Sequence, residues 1–182
     1  AQASLNIQGG NTESGLQIID ALVETYPDHR LAWMGRALIY EGLGQNDVAF
    51  ENYNRALEID PNYAAAYVNR GGLYETVGDN TAAIADYTRA ISIDPEQISA
   101  YYNLALINVE LGNYDDAIAY FDEVTARNPD SPDAFTSRGL VQMNQENYHA
   151  AITDFEKRTA AVTRRSDFEL GQRDRVGDSG DT

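Results

Sequence analysis

Two histidines, His29 and His149, are the only imidazoles in the 182-residue chain, and cysteine is absent. Thiolate chemistry, disulfides and Cys-based metal sites are therefore excluded, and the two imidazoles stand too far apart in sequence to share a proton or a metal. Carboxylates are abundant but poorly arranged for acid–base work. Asp115 and Asp116 occupy consecutive positions, which on a helix face different ways. There is no Gly-x-Ser-x-Gly, no phosphate-cradling glycine loop, no His-Glu-x-x-His and no calcium-loop spacing. The reading is that the protein is not an enzyme and carries no cofactor. What remains is polar chemistry suited to holding another molecule, chiefly Asn69 and Asn103, because an amide both donates and accepts.

Any such residues must be positioned by regular elements, and those announce themselves by repetition. Pro27, Pro61, Pro95 and Pro129 are spaced by 34 residues, and so are Gly10, Gly44, Gly78 and Gly112. Between each Gly and the next Pro, an alanine precedes an aromatic by one helical turn: Ala49 and Tyr53, Ala83 and Tyr87, Ala117 and Phe121, Ala151 and Phe155. Upstream of each Gly, Trp33, Tyr67, Tyr101 and Phe135 are followed four residues later by Ala37, Gly71, Ala105 and Gly139. Both spacings are helical, which places two helices in each unit. Proline disfavours helix at the preceding residue, so each second helix stops at the "IDP" corner, and the Asp there is expected to help start the next helix.

These motifs resemble the tetratricopeptide repeat, a helix-turn-helix of 34 residues with a large residue, a small one, a Gly turn, an Ala-to-aromatic pair and a closing Pro. The resemblance implies an all-α fold, a right-handed α-solenoid of antiparallel helix pairs. It divides residues 1–162 into a partial first unit 1–29, three good units at 30–63, 64–97 and 98–131, and a divergent unit at 132–162. The last has Glu146 where the turn Gly belongs, and no closing Pro. Leu5 and Ile7 fall in frame with the end of a first helix. The tail 163–182 leaves the frame and is expected to be a short helix or disordered, with Phe168 and Leu170 as anchors if it folds back.

The resemblance also implies a concave groove lined by the first helices. The positions that would face a ligand include Met34, Leu38, Val68, Asn69, Tyr102, Asn103, Leu106, Leu140 and Met143, with Glu41, Glu75 and Glu110 at one edge. Relatives that clamp acidic chaperone tails need Lys and Arg on this face, and none stands here; an unmatched ligand carboxylate would be disfavoured. Arg36, Arg70 and Arg138 share one position where the family commonly has Leu, and a structural use against neighbouring Asp or Glu is expected.

Thirteen basic against 29 acidic residues give a net charge of −16. Nucleic acid and anionic bilayers are repelled by such a surface, while a neutral or basic protein or peptide is favoured. No apolar run is long enough to span a membrane. The function expected is a non-enzymatic scaffold that holds a protein segment in its groove; the alternative is a structural or self-associating subunit joined through its stack ends. The chain begins "AQASLN" without Met, which fits a removed leader and export in a bacterium, or else an artificial start to a cytoplasmic protein.

Overall fold

The computed structural model describes residues 12–177, with side chains through residue 164. Among the described residues there are nine helices and no strand. They are α1 (Thr12–Thr25), α2 (Arg30–Gly42), α3 (Asn46–Ile59), α4 (Ala64–Thr76), α5 (Asn80–Ile93), α6 (Ile98–Glu110), α7 (Tyr114–Arg127), α8 (Pro132–Asn144) and α9 (Tyr148–Gly177). First helices of 13 residues alternate with second helices of 14 from α2 to α8. The chain forms two compact units, residues 1–100 and residues 101–182.

Each first helix ends in one and the same way. Gly44, Gly78 and Gly112 take positive φ of 71°, 82° and 77°, so the next amide turns back onto the helix: Gln45 N donates to Tyr40 O at 2.9 Å, Asp79 N to Tyr74 O at 2.9 Å and Asn113 N to Asn108 O at 2.8 Å. The divergent last unit keeps this turn without the glycine. Glu146 is itself held at φ 61°, and Asn147 N donates to Gln142 O at 2.8 Å. A single missing Gly therefore leaves the turn in place with a residue that pays a steric cost to occupy it.

At the Pro corners the aspartates do something other than start the next helix. Asp60 and Asp94 cap the end of α3 and α5 in extended conformation. Asp60 Oδ1 accepts from Asn62 N at 3.0 Å, and Asp94 Oδ1 from Glu96 N at 3.1 Å. Their side chains thus close an Asx turn around the proline, two residues ahead. The residue at the N-cap of α4 is Tyr63, which makes no side-chain cap. True side-chain N-caps occur at Asp79, whose carboxylate accepts from Ala82 N, and at Ser131, whose hydroxyl accepts from Ala134 N.

Packing within a pair follows from the small residues. In the first compact unit, the ring of Tyr53 is fully buried with Met34, Ala37, Ala49, Leu57, Ala66 and Leu73. Gly71 lies so near Tyr87 that a Cβ there would sit 2.8 Å from the ring Cε1, and at Gly139 in the second unit a Cβ would meet Phe155 Cε1 at the same distance. In the second unit the core gathers Ala105, Phe121 and Val141, with Tyr102, Leu106 and Ile118 against it.

The shared arginine position is structural. Each guanidinium reaches a second helix 16 residues before it and another 16 residues after it. Arg70 Nε and one Nη clasp the two oxygens of Asp86 at 2.7 Å each, while the other Nη reaches Asn54 at 2.6 Å. Arg138 clasps Asp154 at 2.8 and 2.6 Å and reaches Asp122 at 2.5 Å. Arg36 joins Asp20 at 2.7 Å and Asn52 at 3.0 Å. Asp86 and Asp154 are buried, so these fork-to-fork bonds leave no buried carboxylate unmatched. Burial would lower the Arg70 pKa, but the hydrogen bonds and charge of Asp86 outweigh it and raise the pKa; at Arg138 the bond to Asp154 is the largest cause of a rise. In the third frame the arginine is Leu104 and the partner 16 residues on is Tyr120.

Helix α9 departs from the frame. It runs 30 residues without interruption, so the segment from residue 163, expected as a short helix or disordered, continues the last helix as far as Gly177. Nothing in 148–177 supplies a proline to stop it. Leu5 and Ile7, and the side chains of Phe168 and Leu170, lie outside the described residues.

Candidate binding site

No group of three His, Asp or Glu side chains suited to a metal occurs among the described residues. His29 and His149 are both exposed, and so are Asp115 and Asp116. Asp115 Oδ1 accepts from the Gln145 amide at 2.8 Å, a surface contact. The ligand-facing positions of the first helices are therefore the place to look, and the two compact units present them separately.

In the first unit, Leu38 on α2 is 45% exposed, while Met34, one turn earlier, is only 7% exposed. Met34 belongs to the core around Tyr53, and this corrects its place in the expected groove floor. Its unbranched side chain folds into the space beside Ala37 and Ala66 instead of standing out from the helix. On α4, Val68 and Asn69 are half-buried. Asn69 Nδ2 donates to Ala65 O of its own helix at 2.7 Å, which orients the amide and leaves its carbonyl oxygen directed away from that bond.

Glu41 and Glu75, expected at the groove edge, accept hydrogen bonds from buried phenols. Tyr53 Oη donates to Glu41 at 2.5 Å, and Tyr87 Oη donates to Glu75. Burial, then the hydrogen bond to Glu41 and its charge, push the Tyr53 pKa far above the ordinary value of 10.0. The phenol stays protonated and the carboxylate is fixed in place.

In the second unit the ligand-facing residues come together more closely. Tyr102 on α6 is not a free-standing exposed ring: it meets Phe121 edge-on at 5.7 Å, and its hydroxyl lies 3.2 Å from Ser137 Oγ on α8. Asn103 and Leu106 are half-buried, and Leu106 packs against the Phe121 cluster. Further along α8, Leu140 is 53% and Met143 45% exposed. Ser137, Leu140 and Asn144 fall on one helix face. The result is a face with an anchored phenol, a hydroxyl and large apolar side chains open to solvent. Ser137 was not singled out by sequence; its only signal was its place in the ligand-facing register.

Two family models match, one described as tetratricopeptide repeat over residues 76–140 and one as TPR repeat over 37–78. Together with the helix pairs and glycine turns, this decides the family. The chain is a tetratricopeptide repeat protein. Tetratricopeptide membership supports a protein–protein interaction scaffold in general terms. No curated protein matches the sequence. Among solved structures, MamA superposes with a TM-score of 0.80 at 21% identity, covering 91% of this chain and 96% of that one. PilW, described as a widely conserved type IV pilus biogenesis factor, gives 0.77 at 26% identity, covering 89% and 75%. YrrB, described as a TPR protein with an unusual peptide-binding site, gives 0.68 at 20% identity, covering 87% and 82%. Among the described residues no helix is long and apolar enough to cross a membrane.

Proposed function

We propose that this tetratricopeptide repeat protein is a non-enzymatic adaptor that holds an apolar peptide segment flanked by basic residues on the ligand-facing side of its first helices. The observation that carries the reading is the exposure of Leu140 and Met143 on the same helix as Ser137, which is joined to Tyr102. Large apolar side chains kept in water beside a fixed phenol are suited to anchoring a partner's side chains. Asn69 and Asn103 supply amides for an extended peptide backbone. The net charge of −16 favours basic flanks. YrrB's described peptide-binding site is consistent with the same use of this fold.

The test is a peptide array probed with the purified chain and then with Leu140→Asp/Met143→Asp. Both side chains are exposed, so the variant is expected to melt like wild type and to lose binding to the best peptides by tenfold or more, roughly the loss of 1.4 kcal/mol. Unchanged binding would remove this face from the function. Tyr102→Phe, which deletes only the hydroxyl, tests the Tyr102–Ser137 link without opening a cavity beside Phe121.

A second reading, assembly through stack ends, is favoured by α1. Ile18 and Leu22 on α1 are exposed, whereas the corresponding Asn52 and Ala56 of the next second helix are buried. Light scattering across a concentration series, with Ile18→Lys as control, checks it: a wild-type monomer throughout would exclude this route.

A further inference from the structure

One cationic position recurs along the second helices as Arg55, Arg89 and Lys157, with Glu123 in the intervening frame. Its polar partner stands 27 residues earlier. Arg55 pairs with Asp28 at 3.6 Å besides Glu58 of its own helix at 3.0 Å, and Arg89 reaches Asn62 at 3.4 Å besides Ser92 of its own helix at 3.4 Å, whereas the residue three on from Lys157 is Ala160. For Lys157 the same register gives Asp130, but Asp130 is engaged elsewhere: Arg164 holds it through Nε at 3.0 Å and an Nη at 2.6 Å. Arg164 belongs to the part of α9 that runs past the 14-residue second-helix length, so the helix extension has taken the carboxylate that the repeat assigns to Lys157. Lys157 makes no ion pair among the described residues, and its ammonium lies 5.7 Å from the Phe135 ring centroid.

That ammonium borders a surface pocket of about 350 Å³ whose walls include Asp122, Pro129, Phe135, Lys157, Ala160 and Arg164. Both acids around it are already matched, Asp122 by Arg138 at 2.5 Å and Asp130 by Arg164. The rest of the lining is mostly apolar, Ala126, Pro129, Phe135 and Ala160, with Thr125 whose hydroxyl is taken by Arg138. In a chain of net charge −16, the segment 157–165 holds four basic residues and no acid.

We propose that this pocket is a second ligand site, selective for a peptide carboxylate adjoining an aromatic or aliphatic side chain. The carboxylate takes Lys157 as its partner, as Asp28 serves Arg55, and the apolar side chain rests on Phe135 and Pro129. The site is built mainly from α7, α9 and the corner before α8, not from the ligand-facing positions of the first helices. It is also of opposite charge preference, so one protein can hold a basic-flanked segment and an acid-bearing one without competition.

The experiment is an amide-resolved NMR titration of the full chain with N-acetyl-phenylalanine, and in parallel with N-acetyl-phenylalaninamide, which lacks the charge. Saturable shifts are expected at Ala126, Phe135 and Ala160 with the acid. They should weaken by about fivefold with the amide and in Lys157→Gln, the order of one exposed charge pair, and persist in Lys157→Arg. Lys157 is exposed, so the variants keep the wild-type spectrum elsewhere. Equal shifts from acid and amide, equal shifts in Lys157→Gln, or no saturable shift at these residues would overturn the proposal. Shifts confined to Ser137 and Leu140 would overturn it too, while leaving the first-helix reading standing.

Discussion

Glu146 occupies a backbone conformation that the three earlier units give to glycine, and the residue gains nothing visible in exchange. It is exposed, and its φ of 61° is the one positive value at a non-glycine among the described residues. Relieving that strain by Glu146→Gly is expected to stabilise the chain by about 1 kcal/mol, read as a raised thermal midpoint. Tyr53 gives a prediction of the other sign. Its proton is held more tightly in the folded chain than in the unfolded one, so the native state binds more protons at alkaline pH. The contribution is whole below the ordinary phenol value of 10.0 and is lost as pH rises above it. Chemical denaturation across that range should show stability falling more steeply for wild type than for Tyr53→Phe; parallel curves would deny that burial, with the bond to Glu41, holds the Tyr53 proton.

At the scale of elements, the close approach of paired helices is decided by single methyl groups. A Cβ at Gly71 would meet Tyr87 Cε1 at 2.8 Å, whereas one at neighbouring Gly72 would meet only the Tyr87 hydroxyl at 3.6 Å. Gly71→Ala should therefore destabilise by about 1–3 kcal/mol through overpacking. Gly72→Ala should stabilise by up to about 1 kcal/mol, because alanine favours a helix where space is available. Urea midpoints for the two variants distinguish these outcomes. Such pairs were legible beforehand, since an aromatic four residues before a small residue fixes which side of a helix faces its neighbour. The ends of elements were less so. Asp60 reads as a helix starter from composition, but the Asx turn two residues ahead competes for the same carboxylate and is nearer. The course of α9 past residue 163 was hidden for a related reason: a polar segment without proline has no local signal that stops a helix already under way. Within the candidate site, Leu38, Leu140 and Met143 are exposed, but register reports only where Cα–Cβ points. Met34, at an equally promising position, has three flexible bonds and turned inward, and Tyr102 found Phe121.

For the molecule as a whole, charge is the property that reaches furthest. With −16 in 182 residues, association with any basic peptide selected on the array should slow as salt rises from low to moderate ionic strength, with dissociation changing less. Stopped-flow or biosensor rates would show it, and a salt-independent association rate would count against electrostatic guidance. A different global property follows from how polar partners are distributed. Tyr53 and Tyr87 are accompanied by Glu41 and Glu75, while Phe121 and Phe155 stand opposite Val109 and Met143 at the same register. Arg70 and Arg138 come with Asp86 and Asp154, and Leu104 comes with Tyr120. The hydroxyl and its acceptor are present or absent together, and the guanidinium is matched by a polar side chain 16 residues on, Asn52 for Arg36 and a carboxylate for Arg70 and Arg138. The currency of inheritance in such an array is thus the helix pair. A chimera that moves α4 and α5 as a block keeps the Tyr87–Glu75 and Arg70–Asp86 bonds closed and gives up only the Arg70–Asn54 bond to α3, whereas one that joins α4 to α7 strands Glu75 against Phe121 and Arg70 against Tyr120, so duplication can lengthen this chain more readily than recombination can reshuffle it.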